Sequence, residues 1–280
     1  MFKKPKIGIA LSGGGARGLA HIGVLEVLDN LGVQIDAVSG TSMGALIGAA
    51  YCSGAGLEKV KKLLNSTDWK SFLVFSAFQL SRAGIMKEKK VDEILQKFLG
   101  DRTFEDCKKQ FCCVAVDILS STRVVLNSGS LREAVLASIA VPGIIPPVCK
   151  DTGLLVDGGV MEPLPTLALK TLNPTFILAS SIVFDKTRLK PLKEKNADYL
   201  KLAENKKISI QAIIDKSMNT MHTQMVQSYL PYAQVVIEPR IGDFGFFDFD
   251  KSHDIIEAGR IAAIEKIPEI KRKLKNKINL

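Results

Sequence analysis

Five residues, Gly40-Thr41-Ser42-Met43-Gly44, spell G-x-S-x-G, with a β-branched run ending at Val38 before them and small, helix-compatible residues at 45–50 after them. A serine on a sharp turn between a strand and a helix presents its hydroxyl as a nucleophile. The turn strains the serine backbone and leaves no room for a Cβ two positions to either side, where Gly40 and Gly44 stand. The helix N-terminus behind Ser42 would stabilise negative charge on a reacting carbonyl. Gly and Ser are abundant, so the same pattern also describes a plain strand–turn–helix. The rest of the chain has to decide.

A second Gly-rich stretch, Gly13-Gly14-Gly15-Ala16-Arg17-Gly18, follows a short apolar run at 6–11. Two chemistries compete for it. Gly13-x-Gly15-x-x-Gly18 with Asp36 about twenty residues on meets the dinucleotide-binding fingerprint. Asp36, however, falls within the second strand rather than at its C-terminal end, and the Ser42 turn occupies the place of the adenosine. The alternative is an oxyanion hole, since consecutive glycines expose bare backbone N–H groups one loop away from Ser42. The oxyanion reading is favoured. A Walker A loop is excluded because no Lys-Ser/Thr follows.

A serine nucleophile needs a base, and histidine is the usual one. His21 lies in the first turn of the first helix, placed to brace the loop; His222 lies in a Met-rich helix and His253 near the start of the last helix. None follows a strand in the position a triad would use. Asp157 does end a strand, and Gly158-Gly159 behind it allow a turn that aims the carboxylate inward. In isolation an Asp-Gly pair is more often a plain turn.

The elements that position these groups alternate. Strands are expected at 6–11, 34–38, 111–118, 122–126, 153–156, 175–183 and 233–238, and helices at 19–31, 56–64, 91–99, 131–140, 196–229 and 252–265. Strand, helix, strand, helix within fifty residues implies parallel pairing with helices on both sheet faces. The expected fold is a three-layer α/β/α sandwich with a mostly parallel central sheet.

The chain has 280 residues, 46% of them apolar, which suits one large α/β domain and excludes disorder. No run approaches the ~18–20 apolar residues of a transmembrane helix. The basic-then-apolar start breaks at Ser12 after too few apolar residues for a secretory leader, so the expected location is cytoplasmic. Five cysteines without C-x-x-C spacing predict free thiols and no zinc site; adjacent Cys112 and Cys113 should point to opposite faces of a strand. The net charge of +9 is concentrated at 186–207, with eight Lys/Arg against three Asp/Glu, and at 266–280, with six against one. Such local excess suits an anionic membrane surface, or else two solvated helix faces, and the apolar stretch 69–80 is a candidate entrance beside it.

Taken together, Gly13-Gly-Gly-Ala-Arg-Gly18, Gly40-Thr-Ser-Met-Gly44 and Asp157-Gly-Gly159, in that order, resemble the patatin-like phospholipase family and its small bacterial members. The resemblance continues through Ala137-Ser-Ile-Ala-Val-Pro-Gly143 and Pro146-Pro-Val148 and covers residues 5–265, leaving 266–280 as a basic tail. It implies a Ser-Asp dyad without histidine: Ser42 as nucleophile, Asp157 as base, Gly13, Gly14 and Gly15 as oxyanion hole, with Arg17 as the basic loop residue. Gly18, Gly40, Gly44, Gly158 and Gly159 complete the motifs. The implied activity is hydrolysis of a fatty-acyl ester in a lipid, of phospholipase A or lysophospholipase type, with no cofactor, no metal and no nucleic-acid partner. Peripheral contact with the inner membrane face is expected from the basic segments and the apolar stretch 69–80. A membrane-associated regulator with little hydrolysis is the alternative from another class. Glu162 departs from the small amide many relatives carry and changes the local polarity.

Overall fold

The computed structural model describes residues 5–65, 84–151, 153–182, 210–242 and 244–278. Its strands are β1 (Ile7–Leu11), β2 (Ala37–Thr41), β3 (Gln110–Asp117), β4 (Thr122–Leu126), β5 (Val148–Lys150), β6 (Gly153–Asp157), β7 (Phe176–Ser180) and β8 (Val235–Ile237). The helices are α1 (Ala20–Asn30), α2 (Met43–Cys52), α3 (Leu57–Asn65), α4 (Gly84–Leu99), α5 (Leu131–Ser138), α6 (Thr166–Lys170), α7 (Ile210–Tyr229) and α8 (Ser252–Ile278).

One sheet contains all eight strands, in the order β5-β6-β3-β2-β1-β7-β8 with β4 on β3. From β3 through β2, β1 and β7 to β8 the pairing is parallel. The β4, β5 and β6 pairings are antiparallel. Strands β1, β2 and β7 are buried along their whole length, as expected of a parallel sheet covered on both faces. The two faces can be told apart at the adjacent cysteines of β3. Cys113 Sγ donates to the Ala134 carbonyl of α5, whereas Cys112 Sγ donates to the Ala168 carbonyl of α6. Helices thus cover both faces, and the three-layer expectation holds. All five thiols are free.

The edge of β3 sets the geometry of everything at the C-terminal end of the sheet. Its residues Gln110–Val114 pair with Ala37–Thr41 of β2, and Ala115–Asp117 pair with Leu155–Asp157 of β6. Because β4 pairs with Cys113 and with Ala115 on the opposite edge, β2 and β6 occupy the same edge, one after the other. They approach head to head. The chain leaves β2 at Ser42 where β6 arrives at Asp157.

Several elements differ from the sequence expectation. Strand β2 begins at Ala37, not residue 34, and so carries Gly40 and Thr41 directly into the turn. Helix α6 went unread because five residues between prolines are too few for a period to show. Of the helix expected over 196–229, Ile210–Tyr229 is described; the stretches 69–80 and 186–207 lie outside the described residues. The last helix does not stop at residue 265. It continues to Ile278 past an internal Pro268, held down by the buried Ile267 and Ile270, so residues 266–278 are not a separate tail. At ~1.5 Å per residue, Lys273 lies about 30 Å along α8 from Ser252. Its Nζ donates to the Gln234 carbonyl, and Lys277 donates to the Thr175 carbonyl just before β7. That is the N-terminal edge of the sheet, away from Ser42. The lysines of this helix end therefore do not flank an entrance at the C-terminal edge.

Helix α8 is fastened to α1 by direct backbone contact. A Cβ on Gly23 would fall 2.1 Å from the Ile256 carbonyl oxygen, and one on Gly259 would fall 2.0 Å from that of Ala20. Arg260 of α8 adds a 2.7 Å ion pair to Glu26 of α1. Helix propensity alone favours Gly259→Ala by ~1 kcal/mol. Backbone cannot rotate away from the new methyl group, so the clash wins, and the variant should be destabilised by about 2 kcal/mol net. A lower urea midpoint at unchanged slope is the expected result; a stabilised Gly259→Ala would contradict the close crossing.

Candidate active site

Ser42 sits between β2 and α2 with φ 54° and ψ −124°, a left-handed conformation that costs a non-glycine residue energy. The turn is held by tight backbone packing: a Cβ at Gly40 would lie 2.4 Å from the Gly44 carbonyl oxygen, and one at Gly44 2.2 Å from that of Leu11. Ser42 is almost buried, at 7% exposure, with the amino end of α2 behind it.

A single short stretch holds both candidate reactive residues. The Ser42 N–H donates to Ser138 Oγ at 3.1 Å, and the Ser138 hydroxyl donates to the Val114 carbonyl at 2.7 Å. Two residues on, the Ala140 carbonyl accepts from the Asp157 N–H at 2.9 Å. The C-terminal end of α5 therefore clamps the turn after β2 and the end of β6 together. Ser138 belongs to the 137–143 stretch that carried part of the resemblance, but no feature of its type marked it as a clamp.

Asp157 is buried at 4% exposure. Its Oδ1 accepts from the Gly159 N–H at 2.7 Å. Its Oδ2 is buried without a hydrogen-bond partner among the described residues. Burial pushes the carboxyl up to about 6, while the Ser42 hydroxyl and the Gly159 N–H pull the other way. Ser42 is thus within electrostatic reach of a carboxylate oxygen with which it has not closed a well-aligned hydrogen bond. Gly158 lies against the Val114 carbonyl, and no other residue type would fit there.

The Gly-rich loop crosses the top of β1 toward Ser42. Not every glycine amide is available. The Gly13 N–H donates to the Pro163 carbonyl at 2.9 Å, so the donors open at this loop are those of Gly14 and Gly15, which bond no group among the described residues. Gly13 still lies alongside Ser42, 3.2 Å separating its Cβ position from the Ser42 Cβ. Arg17 is buried; its Nε donates to the Gly14 carbonyl and its Nη2 to Asn219 Oδ1 on α7. It braces the loop from behind. Gly18 packs on Met43, next to Ser42.

His21 is fully buried, with Nε2 donating to the Ser12 carbonyl and Nδ1 therefore accepting from the Ser180 hydroxyl, each at 2.8 Å. Burial lowers it to about 4, so it is neutral and fully occupied as a strut. His253 is exposed beside Asp254. His222 is the residue that sequence reasoning placed least well. Its ring lies over Gly159, where a Cβ would be 3.2 Å from Cε1 and Nε2. Burial, then the Arg17 charge, lower it to about 4, against a hydrogen bond with the Gly159 backbone. Three residues after Asn219 on the same helix, it joins α7 to the Asp157 turn as Asn219 joins α7 to the loop. A lone histidine on a helix carries no sequence signal.

Two other expectations resolve structurally. Asp36 precedes β2 and accepts from the Ile7 N–H at 2.8 Å, at the sheet edge opposite the Gly-rich loop. No ribose bound at that loop could reach it, so the dinucleotide reading fails. Glu162 is buried; its Oε1 accepts from the Leu167 and Ala168 N–H groups and its Oε2 pairs with Arg123 of β4 at 2.7 Å. Burial raises its carboxyl despite these partners. The acid caps α6 and does not face the reactive pair. Among the described residues no cluster of side chains could hold a metal ion, and no helix is long and apolar enough to cross a membrane.

A small apolar cavity of about 40 Å³ opens beside Ser42, lined by Met43, Leu46, Ile139, Val141, Ile144 and three phenylalanines of the 246–249 stretch. Exposed apolar side chains stand on the surrounding elements: Ile118 and Leu119 at the tip beyond β3, Met161 after the Asp157 turn, Met221 on α7, and Phe247.

The chain is similar to several known proteins. An uncharacterized NTE family protein of Mycobacterium tuberculosis is 30% identical over 92% of this chain and 46% of its own length. A second from that organism is 34% identical over 64% of this chain and 49% of its own. Neuropathy target esterase sws of Drosophila melanogaster is 32% identical over 63% of this chain and 13% of its own. The chain thus spans about half the length, or less, of these relatives. Among solved structures, VipD from Legionella pneumophila shares the fold, with a TM-score of 0.50 at 12% identity over 94% of this chain and 66% of that one. The model of the patatin-like phospholipase family matches residues 9–170, which hold all three glycine motifs, and the chain belongs to that family.

Proposed function

We propose that this chain is a serine esterase that hydrolyses the fatty-acyl ester of a lipid, of phospholipase A or lysophospholipase type, with Ser42 and Asp157 as a dyad. The observation that carries the reading is the buried Oδ2 of Asp157, without a hydrogen-bond partner among the described residues and held next to the strained Ser42 by one clamp. Asp157 takes the Ser42 proton as Oγ attacks the ester carbonyl. The resulting oxyanion is met by the Gly14 and Gly15 N–H groups at the amino end of α2. Collapse expels the alcohol, which takes the proton back from Asp157. Water then attacks the acyl carbonyl and gives a proton to the same carboxylate; the bond to Ser42 Oγ breaks, Oγ takes that proton back from Asp157, and the fatty acid leaves. A base near 6 is mostly ionised at neutral pH yet stronger than an ordinary aspartate at ~3.9. Burial therefore does what a histidine would do elsewhere.

The lipid is met at the C-terminal sheet edge, through the apolar rim of Ile118, Leu119, Met161, Met221 and Phe247. The basic end of α8, about 30 Å along the helix, is beyond the ~8–10 Å over which charge acts in physiological salt. The basic run 186–207 is then the candidate for attraction to an anionic inner membrane face. A cytoplasmic location belongs to the same proposal.

Ser42→Ala should abolish hydrolysis of a short-chain chromogenic ester without changing the melting curve; residual wild-type activity would end the reading. In the wild type, kcat/KM should fall as pH drops through about 6, because the base is lost on protonation. An unshifted aspartate would hold activity down to about 4.

Asp157→Asn should lose nearly as much activity and gain stability. The folded pKa lies above the unfolded one, so ionised Asp157 costs nothing below about pH 4 and its full penalty, on the order of 3 kcal/mol, above about 6. The variant should unfold at higher urea than wild type at pH 8 and at the same urea near pH 4. Equal stability at both pH values would mean the carboxyl is not desolvated.

Leu119→Asp should weaken sedimentation with phosphatidylglycerol vesicles while sparing a soluble ester. Gln at Lys271, Arg272, Lys273, Lys275 and Lys277 should leave it unchanged. The opposite pair of results would put the docking face at the far end of α8.

A further inference from the structure

We propose that Phe246 selects which acyl chains reach Ser42, by capping the apolar cavity beside it and resting on the Gly-rich loop. The inference rests on the esterase reading of the Ser42 site and concerns a residue outside the segment that defines the family match. The cavity measures about 40 Å³, where a single water needs ~10–15 Å³ by the same measure. It has room for roughly three or four groups of that size, the first carbons of an acyl chain and no more. Its walls from α2 and from 139–145 belong to the core, with Leu46 and Ile139 buried and fixed by their elements. The 246–249 side is different. Phe249 is buried at 3% exposure and anchors the stretch, while Phe247 is 40% exposed. Phe246 lies between the loop and the cavity, its ring edge-on to Phe247 at 5.0 Å between centroids.

The contact with the loop explains the glycine beneath it. Gly15 has φ 60°, and a Cβ there would fall 2.7 Å from the Phe246 ring and 2.5 Å from its carbonyl oxygen. That carbonyl accepts from the Ala16 N–H at 2.8 Å. The residue that closes the acyl cavity is thereby hydrogen-bonded next to Gly14 and Gly15, the proposed oxyanion donors. A longer acyl chain needs the Phe246 ring out of the way, and moving it strains the loop that must hold the oxyanion. Chain length is then read in kcat as well as in KM, because the disturbed group acts in the transition state.

The test uses p-nitrophenyl butyrate and dodecanoate below their aggregation limits, with wild type, Phe246→Ala and Phe246→Trp. Wild type should prefer butyrate. Phe246→Ala keeps the carbonyl tether and removes the cap, so its dodecanoate-to-butyrate ratio of kcat/KM should rise at least tenfold, with most of the gain in kcat. Phe246→Trp should lower the ratio, which guards against a misfolded alanine variant. A ratio unmoved by both variants, or a change confined to KM, overturns the proposal while leaving the esterase reading intact. If Ser42→Ala in the same assay keeps its butyrate activity, the esterase reading has failed instead.

Discussion

The structure depends on one strand edge being shared. β3 gives its first half to β2 and its second half to β6, and the two arrive from opposite directions at the boundary between Val114 and Ala115. Hydrogen-bond register is rigid, so this sharing fixes Ser42 and Asp157 relative to each other through the backbone. The end of α5 then closes the junction, with Ser138 Oγ on one backbone amide and the Ala140 carbonyl on the other. Two residues more than a hundred positions apart are held by groups two positions apart.

That junction is also where the molecule sacrifices stability. A positive φ at a serine, a carboxyl forced up to about 6 by burial, and a carboxylate oxygen with no hydrogen-bond partner among the described residues are each unfavourable. They persist because the surroundings over-determine them. Among the described residues most other buried polar groups are satisfied, Ser53 Oγ being the exception: His21 uses both ring nitrogens, and Glu162 spends its two oxygens on α6 and Arg123. At Ser42 and Asp157 backbone strain and an unmet hydrogen bond coincide, which separates the pair from Ser53, whose backbone is unstrained.

Much of this was legible in the residues. The three glycine motifs mark places where backbone meets backbone or a turn is strained, and such places announce themselves through glycine. The parallel sheet followed from alternating buried runs, and opposite-facing Cys112 and Cys113 from the period of a strand. What could not be read has a common cause. Ser138, His222, Asn219, Arg123 and Phe246 act through contacts between elements distant in sequence, and each is an ordinary residue in its own segment. Gly13 shows the same limit from the other side: its type marked a bare amide, but only the fold shows that Pro163 already takes it. The length of α8 was hidden by Pro268, a residue that usually ends helices and here is outweighed by buried Ile267 and Ile270.

The central claim is that a buried carboxylate, with no histidine, activates Ser42. It is tested most directly by the rate of fluorophosphonate labelling across pH 4 to 9 in wild type and Asp157→Asn, with the modified peptide mapped by mass spectrometry. The account predicts a single adduct on Ser42, a wild-type rate that rises through about 6, and almost no labelling of Asp157→Asn at any pH. An adduct on another serine, or equal labelling of Asp157→Asn, would contradict it.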